Sequence, residues 1–284
     1  MSELEEVTKT LHQLKLDIAQ SRGLPHIPDA YSTLNEIYKI GLTTPPSSGY
    51  PELKYIMMGN GGIRLDVGLN NSPVKKTLKH KPTDAALYNA VPFVMIPINE
   101  DLPPSVRNKY RLRVLEVVKG VSYFSYYAKV IENLTPSITV KIVEYDKGAV
   151  IATNDYIPSP ESLSPTPILL SNITLNTLNN RDLVVMSLDE VILRKSDIDN
   201  LKEAITIKYG VDDIEKFTIS EMAVVQGWTE EITSNLENVS ATFNEIKCGQ
   251  VASFIVLMQN LLYGPSEWVL EVGLSNSTPM APNL

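Results

Sequence analysis

The sequence predicts a mainly β protein, with antiparallel, β-sandwich-like domains, an N-terminal α-helix and one short internal helix. Three observations predict it. Runs that alternate apolar and polar residues recur through the middle of the chain, and glycine-centred turns join them at hairpin spacing. One stretch near the start changes instead to a helical spacing of apolar residues. The 284 residues suffice for one large β domain or two smaller ones with a sizeable core.

The helix comes first. Leu4, Val7, Leu11, Leu14 and Ile18 are spaced 3, 4, 3, 4, an a/d seam. Ser2 and Glu5 stand in capping-box relation, and Arg22-Gly23 followed by Pro25 supplies a stop, so residues 1–23 read as a heptad helix. So short a seam is marginal alone. It must be completed by a partner helix, a sister subunit or the body of the same chain.

Residues 24–157 read as a β-rich domain. Pro25, Pro28, Pro45, Pro46 and Pro51 make its first part irregular, with a short helix between Ala30 and Ile40. Leu53 to Met58 form a strand that runs into Gly59-Asn60-Gly61-Gly62, a tight turn. Tyr110 to Val117 alternate, Lys119-Gly120 turn the chain, and Ser122 to Val130 return. A second hairpin pairs Ile138–Tyr145 with Ala149–Ala152 across Asp146-Lys147-Gly148.

Pro158, Pro160, Pro165 and Pro167 mark a break, beyond which 168–275 form a second β-rich domain or second sheet. Strands are predicted at Ile168–Leu175, Leu183–Leu193, Phe217–Val225, Ala241–Ile246, Val251–Leu257 and Trp268–Leu274. A helix from Asp197 to Tyr209 has Ser196 as N-cap and Gly210 past its end. Residues 276–284 read as an extended tail.

Composition narrows the function. A net charge of -8 and a pI near 5.0, without any basic run, argue against nucleic acid or an anionic membrane as partner. The opening Met1-Ser2-Glu3-Leu4 lacks the charged and apolar regions of a signal peptide, and the apolar stretch Phe254–Met258 is too short to cross a bilayer. The expectation is synthesis in the cytoplasm. The Asn-x-Ser/Thr triplets at Asn133 and Asn172 are then chance matches. The single cysteine, Cys248, forms no intrachain disulfide and reads as a small buried hydrophobe.

Catalytic constellations are not apparent, so no enzyme, no metal and no cofactor are expected. His12, His26 and His80 lie far apart and outside any zinc-binding pattern, and His12 reads as a solvated side chain beside the seam. Gly59-Asn60-Gly61-Gly62 lacks the Gly-Lys-Ser/Thr of a phosphate loop. Asp212-Asp213-Ile214-Glu215 lacks the alternating ligands of a calcium loop. Paired carboxylates such as Glu116 and Glu132 are the basis of a glycosidase alternative.

The aromatic set is the other candidate interaction site. On a strand, Tyr123 and Tyr127 share one side and Phe124 and Tyr126 the other. One side is core, and the other is free to stack on a protein neighbour or on sugar rings.

Tyr55-Ile56-Met57-Met58-Gly59-Asn60-Gly61-Gly62, followed by Lys81-Pro82-Thr83-Asp84-Ala85-Ala86-Leu87-Tyr88-Asn89-Ala90-Val91-Pro92-Phe93, resembles the start of tail-fibre and baseplate modules of tailed bacteriophages. Ser220-Glu221-Met222-Ala223-Val224 and Trp268-Val269-Leu270-Glu271-Val272-Gly273-Leu274 are similar to the strands of such modules. The resemblance implies a virion structural protein of the tail, a baseplate wedge component or fibre adaptor. Such a protein acts by assembly with other tail or baseplate proteins, as a homo-oligomer within a larger assembly. The alternative it implies is a receptor- or carbohydrate-binding module at the tail tip, using the Tyr123–Tyr127 face.

Overall fold

The computed structural model describes residues 6–67, 73–132, 137–146, 148–160, 163–164, 181–236, 239–264 and 267–279. In chain order the elements of the first part are β1 (Glu6–Lys9), α1 (Leu11–Arg22), α2 (Leu34–Ile37), β2 (Glu52–Gly59), β3 (Ile63–Val67), β4 (Pro73–Thr77), β5 (Ala90–Val91), β6 (Val94–Pro97), α3 (Pro104–Arg107), β7 (Arg113–Val118), β8 (Val121–Tyr126) and β9 (Lys129–Val130). The second part adds β10 (Thr139–Asp146), β11 (Ala149–Asp155), β12 (Arg181–Leu193), α4 (Lys195–Tyr209), β13 (Thr218–Leu236), β14 (Val239–Asn260) and β15 (Trp268–Pro279). The protein is mainly β, antiparallel and β-sandwich-like, with the expected N-terminal helix and internal helix.

The chain makes two compact units. Met1–Glu132 with Val191–Val269 form the first, and Asn133–Glu190 with Leu270–Leu284 form the second. The proline-rich segment from Pro158 onward falls inside the second unit.

The first unit is built on a six-stranded sheet of order β1-β14-β13-β2-β5, with β9 also paired to β2. Its central strand β2 is apolar from Tyr55 to Met58 and buried there on both faces, which a strand covered on each side requires. Tyr55, Met57, Ala223, Val225, Val251 and Phe254 join Leu34, Leu112 and Tyr127 in the main core. A three-stranded sheet, β6-β8-β7, and the β3-β4 ribbon complete the strands of this unit. Lys119 (φ 51°) and Gly120 (φ 82°) close β7 onto β8 in the predicted two-residue turn, whose positive φ at both positions matches strand twist.

The second unit carries the sheet β11-β10-β12-β15. Its hairpin β10-β11 matches the expected one, with Gly148 at φ 84°.

Several boundaries differ from expectation for identifiable reasons. Residues 6–9 are strand, because Glu6–Lys9 pair with Ser253–Val256 at the sheet edge, a tertiary contact that overrides helical spacing. The helix starts instead after Thr10, whose Oγ1 accepts from the Gln13 N–H at 3.2 Å and donates to the Val251 carbonyl at 2.6 Å. Gly23 (φ 62°) ends it as the sequence indicates. The internal helix begins one residue before Ser196, because the Asp197 carboxylate accepts the Arg194 N–H at 3.0 Å and makes Arg194 the cap.

Ala241–Ile246 and Val251–Leu257 are one strand, β14, carried through a bulge at Cys248 (φ 49°). The bulge turns ladder groups outward, and Asn35 takes them up: its Nδ2 donates to the Ile246 carbonyl at 2.8 Å, and its Oδ1 accepts the Gly249 N–H at 2.7 Å. The expected tail is strand up to Pro279, and the strand predicted at Ile168–Leu175 lies outside the described residues. Among the described residues no helix is long and apolar enough to cross a membrane.

Candidate functional site

Three features of the first unit combine unusual chemistry with a defined place in the fold. The first is a buried carboxylate. In the ladder Glu221 of β13 stands opposite Gly59 of β2. Its Oε1 accepts the N–H groups of Gly61 and Asn89, both at 3.0 Å, and its Oε2 accepts from Tyr88 N–H at 3.0 Å and from His80 Nε2 at 2.8 Å. Four donors fill the lone-pair directions of one carboxylate, which makes a buried charge tolerable.

The glycines let the chain pass close to Glu221 and its neighbours Asn89, Tyr88 and Ser220. A Cβ on Gly59 would sit 2.6 Å from Glu221 Oε1, and none of Gly59, Gly61 and Gly62 has positive φ, so close approach rather than turn geometry selects them. His80 is itself sandwiched, 4.2 Å from the Tyr88 ring and 3.8 Å from that of Phe254, with Nδ1 3.1 Å from Asp84 Oδ2. The hub therefore welds together the three stretches 55–62, 81–93 and 220–224. It is closed and satisfied, a fastening rather than a reaction site. The sequence reading missed it, although a glutamate inside the apolar run Ile219–Val225 was the available signal.

The second feature is an open groove of about 630 Å³. The segment after α2 (Lys39, Ile40, Leu42), strands β7 and β8 (Arg113, Leu115, Phe124) and the β13-β14 hairpin (Ile232, Phe243, Glu245) line it. Lys39 (φ 56°), Gly41 (φ 70°) and Leu42 (φ 58°) are left-handed along one wall, and the Leu42 carbonyl is held by the Cys248 N–H at 2.9 Å. Arg113 lies over the Phe124 ring at 4.3 Å and reaches Asp101 at 2.7 Å, while Arg107 covers Phe243 at 3.2 Å.

Glu245 is a buried residue in the wall of this groove. Its Oε1 is 3.4 Å from Arg107 Nη2, its Oε2 is buried without exposed surface, and the Arg113 backbone N–H adds to the pull on the carboxylate. Burial pushes its carboxyl up to about 7, against the opposing pull of Arg107 and Arg113.

The third feature is an apolar stripe. Helix α1 buries His12, Gln13, Leu16 and Ala19, and turns Leu11 (40% exposed), Leu14 (44%) and Ile18 (64%) outward. Val7 on β1 is exposed too, as are Leu24, Ile27 and Tyr31 in the segment that follows. The helix thus docks on its own body with the opposite face and leaves the seam uncovered; Leu4 lies outside the described residues.

The aromatic set divides differently from expectation. Strand β8 ends at Tyr126, so alternation stops there, and Tyr126 and Tyr127 are both buried. Tyr126 donates to Asp101, and Tyr127 donates to Glu116 at 2.9 Å. Burial raises the Glu116 carboxyl, but the Ser125 hydroxyl, the Lys208 ammonium and Tyr127 outweigh it and hold the group below its usual range. Tyr123 and Phe124 are half-buried, and Phe124 lines the groove. Glu116 and Glu132 belong to separate ion-pair sets, the first with Lys208 and the second with Lys109 and Arg194.

His12 is buried, not solvated, and neither ring nitrogen has a partner. His26 is buried beside Gln250, with Nε2 3.3 Å from its Oε1. Cys248 is buried as expected, its thiol pushed up to about 11 by burial.

Residues 1–283 match the model of a family of unknown function (DUF7208), and the chain belongs to that family. No curated protein and no solved structure matches it.

Proposed function

We propose that this protein is a structural subunit of a tailed-phage virion, made in the host cytoplasm and built into the tail baseplate as a wedge component or fibre adaptor. It works by assembly, not by catalysis. Its partners are other tail proteins and copies of itself.

The observation that carries the reading is the stripe of Leu11, Leu14 and Ile18, which stays exposed although α1 is already anchored by its other face. A cluster of this kind beside further exposed apolar residues is a surface that a neighbour is expected to cover. The resemblance to tail-fibre and baseplate modules supplies the setting. Of the four resembling stretches, 55–62, 81–93 and 220–224 meet around Glu221, which supports reading these three as parts of one module.

The test is mass spectrometry of purified tailed particles from the source, with complementation by the wild-type chain or by Leu11→Asp/Leu14→Asp. The wild-type chain is expected in the particles in stoichiometric amount, and the variant is expected to fold but stay out of them. Absence of the chain from the particles overturns the reading. Normal incorporation of the variant removes the stripe from it.

A further inference from the structure

We propose that the β3-β4 ribbon is a cationic arm that docks on the acidic second unit of another copy of this chain. The inference rests on the assembly reading for the kind of partner, and it names a contact other than the α1 stripe.

The ribbon is poorly supported by its own chain. Ile63–Val67 and Pro73–Thr77 pair with each other and with no third strand among the described residues. Two short strands alone are marginal in water. Their register also sets Arg64 directly opposite Lys76, and like charges so placed destabilise a hairpin. Asp66 Oδ2 answers both, 3.5 Å from Arg64 and 2.7 Å from Lys76. One carboxylate between two cations leaves a positive charge over, and the two side chains stay 63% and 58% exposed. Lys75 meets Glu215, just ahead of β13, at 3.2 Å in a pair exposed on both sides, which holds the ribbon only weakly. A ribbon arranged against its own stability is explained by a partner that brings negative charge.

The distribution of charge selects that partner. Residues 63–81 hold five cations (Arg64, Lys75, Lys76, Lys79 and Lys81) and one carboxylate, a net +4. The whole chain is at -8, so the remainder carries -12. Asn133–Glu190 with Leu270–Leu284, the second unit, hold three cations and eight carboxylates, a net -5. Two of those cations are engaged within the unit, Lys141 with Asp155 at 3.9 Å and Arg181 with Glu144 at 2.8 Å. Asp146, Glu190 and Glu271 are exposed there. Fields of opposite sign on two surfaces steer them together and fix which faces meet. A nucleic acid would suit the ribbon but meet the repulsion of the acidic remainder, whereas a second copy presents the matching surface. The two surfaces differ, so the contact is head-to-tail and each copy carries both halves.

Sedimentation velocity on the full chain tests this at about 50 and about 500 mM NaCl. Self-association is expected at low salt and is expected to weaken about tenfold or more at high salt. Lys75→Glu/Lys76→Glu and Glu190→Lys/Glu271→Lys are each expected to stay monomeric at low salt. The ribbon variant keeps its fold, since Lys76→Glu sets opposite charges across the ladder at Arg64. An equimolar mixture of the two variants retains one intact ribbon and one intact acidic unit, so it is expected to form a one-to-one dimer and nothing larger. A wild-type chain that is monomeric at low salt overturns the proposal, as does association indifferent to salt and to both variants. A mixture that stays monomeric overturns it too. Binding of a DNA duplex by a chain that remains monomeric gives the ribbon to a different class of partner and has the same effect. Incorporation of Leu11→Asp/Leu14→Asp into particles is read separately, so the two readings fail independently.

Discussion

Glu221 and His80, 141 residues apart in sequence, meet at 2.8 Å between Oε2 and Nε2 inside the first unit. The contact closes a set in which one carboxylate serves three backbone N–H groups and one imidazole. Glu221→Gln keeps the shape but turns a donor toward donors already there. The expected loss is about 3–5 kcal/mol, the usual penalty for breaking a buried charged contact from one side. Urea unfolding followed by tryptophan fluorescence measures it; a loss under about 1 kcal/mol would show that the hub holds nothing together.

The neighbouring glycines separate two kinds of constraint. A Cβ on Gly61 would stand 2.7 Å from Asn89 N and 2.8 Å from Tyr88 Cβ. Gly61→Ala is expected to cost about 1–3 kcal/mol through overpacking. Gly41 has open space around it but φ 70°, so Gly41→Ala costs about 1 kcal/mol from backbone strain alone. Chemical denaturation of the pair checks the order, and a reversal refutes the close-approach account.

His12 and His26 make the fold acid-sensitive. Burial lowers both below the ordinary histidine value; for His12 Asp29 opposes this while Lys15 and His26 add to it, and for His26 the Gln250 contact and Asp29 oppose it while Lys15 adds to it. The unfolded chain therefore takes up these protons first. Stability is complete above the unfolded value of about 6.5 and falls as pH drops below it toward the folded values. His12→Leu is expected to flatten part of the slope between about pH 7 and 5 in thermal melts. An unchanged slope in both His12→Leu and His26→Leu would refute the assignment.

Glu245 acts in the opposite sense. Its folded value of about 7 lies above the usual 4.5, so the folded state keeps the proton longer. Its contribution is complete below about pH 4.5 and is lost as pH rises through about 7, amounting to roughly 3 kcal/mol. Glu245→Gln is expected to remove that decline, so that the variant is the more stable protein at pH 8. Parallel curves for the two proteins between pH 5 and 8 would contradict this.

Local signals were legible from sequence, and distant ones were not. The β7-β8 and β10-β11 hairpins follow from alternation and from Lys119-Gly120 and Gly148, which act within a few residues. The helix stop at Gly23 is local as well. The helix start was misplaced because Glu6–Lys9 obey Ser253–Val256 at the far end of the chain. The end of β8 at Tyr126, which takes Tyr127 out of the alternation, is set by packing that sequence does not display. The groove was half visible, since Phe124 was a candidate, but Glu245 and Lys39 reach it from other elements.

The order β1-β14-β13-β2-β5 has a consequence for how this chain is made. Strand β2 leaves the ribosome with its apolar Tyr55–Met58 run long before the partners on its β13 side, Tyr55↔Val225 and Met58↔Met222, exist, although β5 and β9 reach its other side by residue 130. The edge strand β1 waits longer still, for Ser253–Val256. The nascent chain must carry β1 and one open edge of β2 through most of its synthesis, while the local β7-β8 hairpin and the pairing of β2 with β5 and β9 are free to form early. High contact order of this kind makes closure of the central sheet the slow, aggregation-exposed step of folding, completed only when the last quarter of the chain folds back over the first.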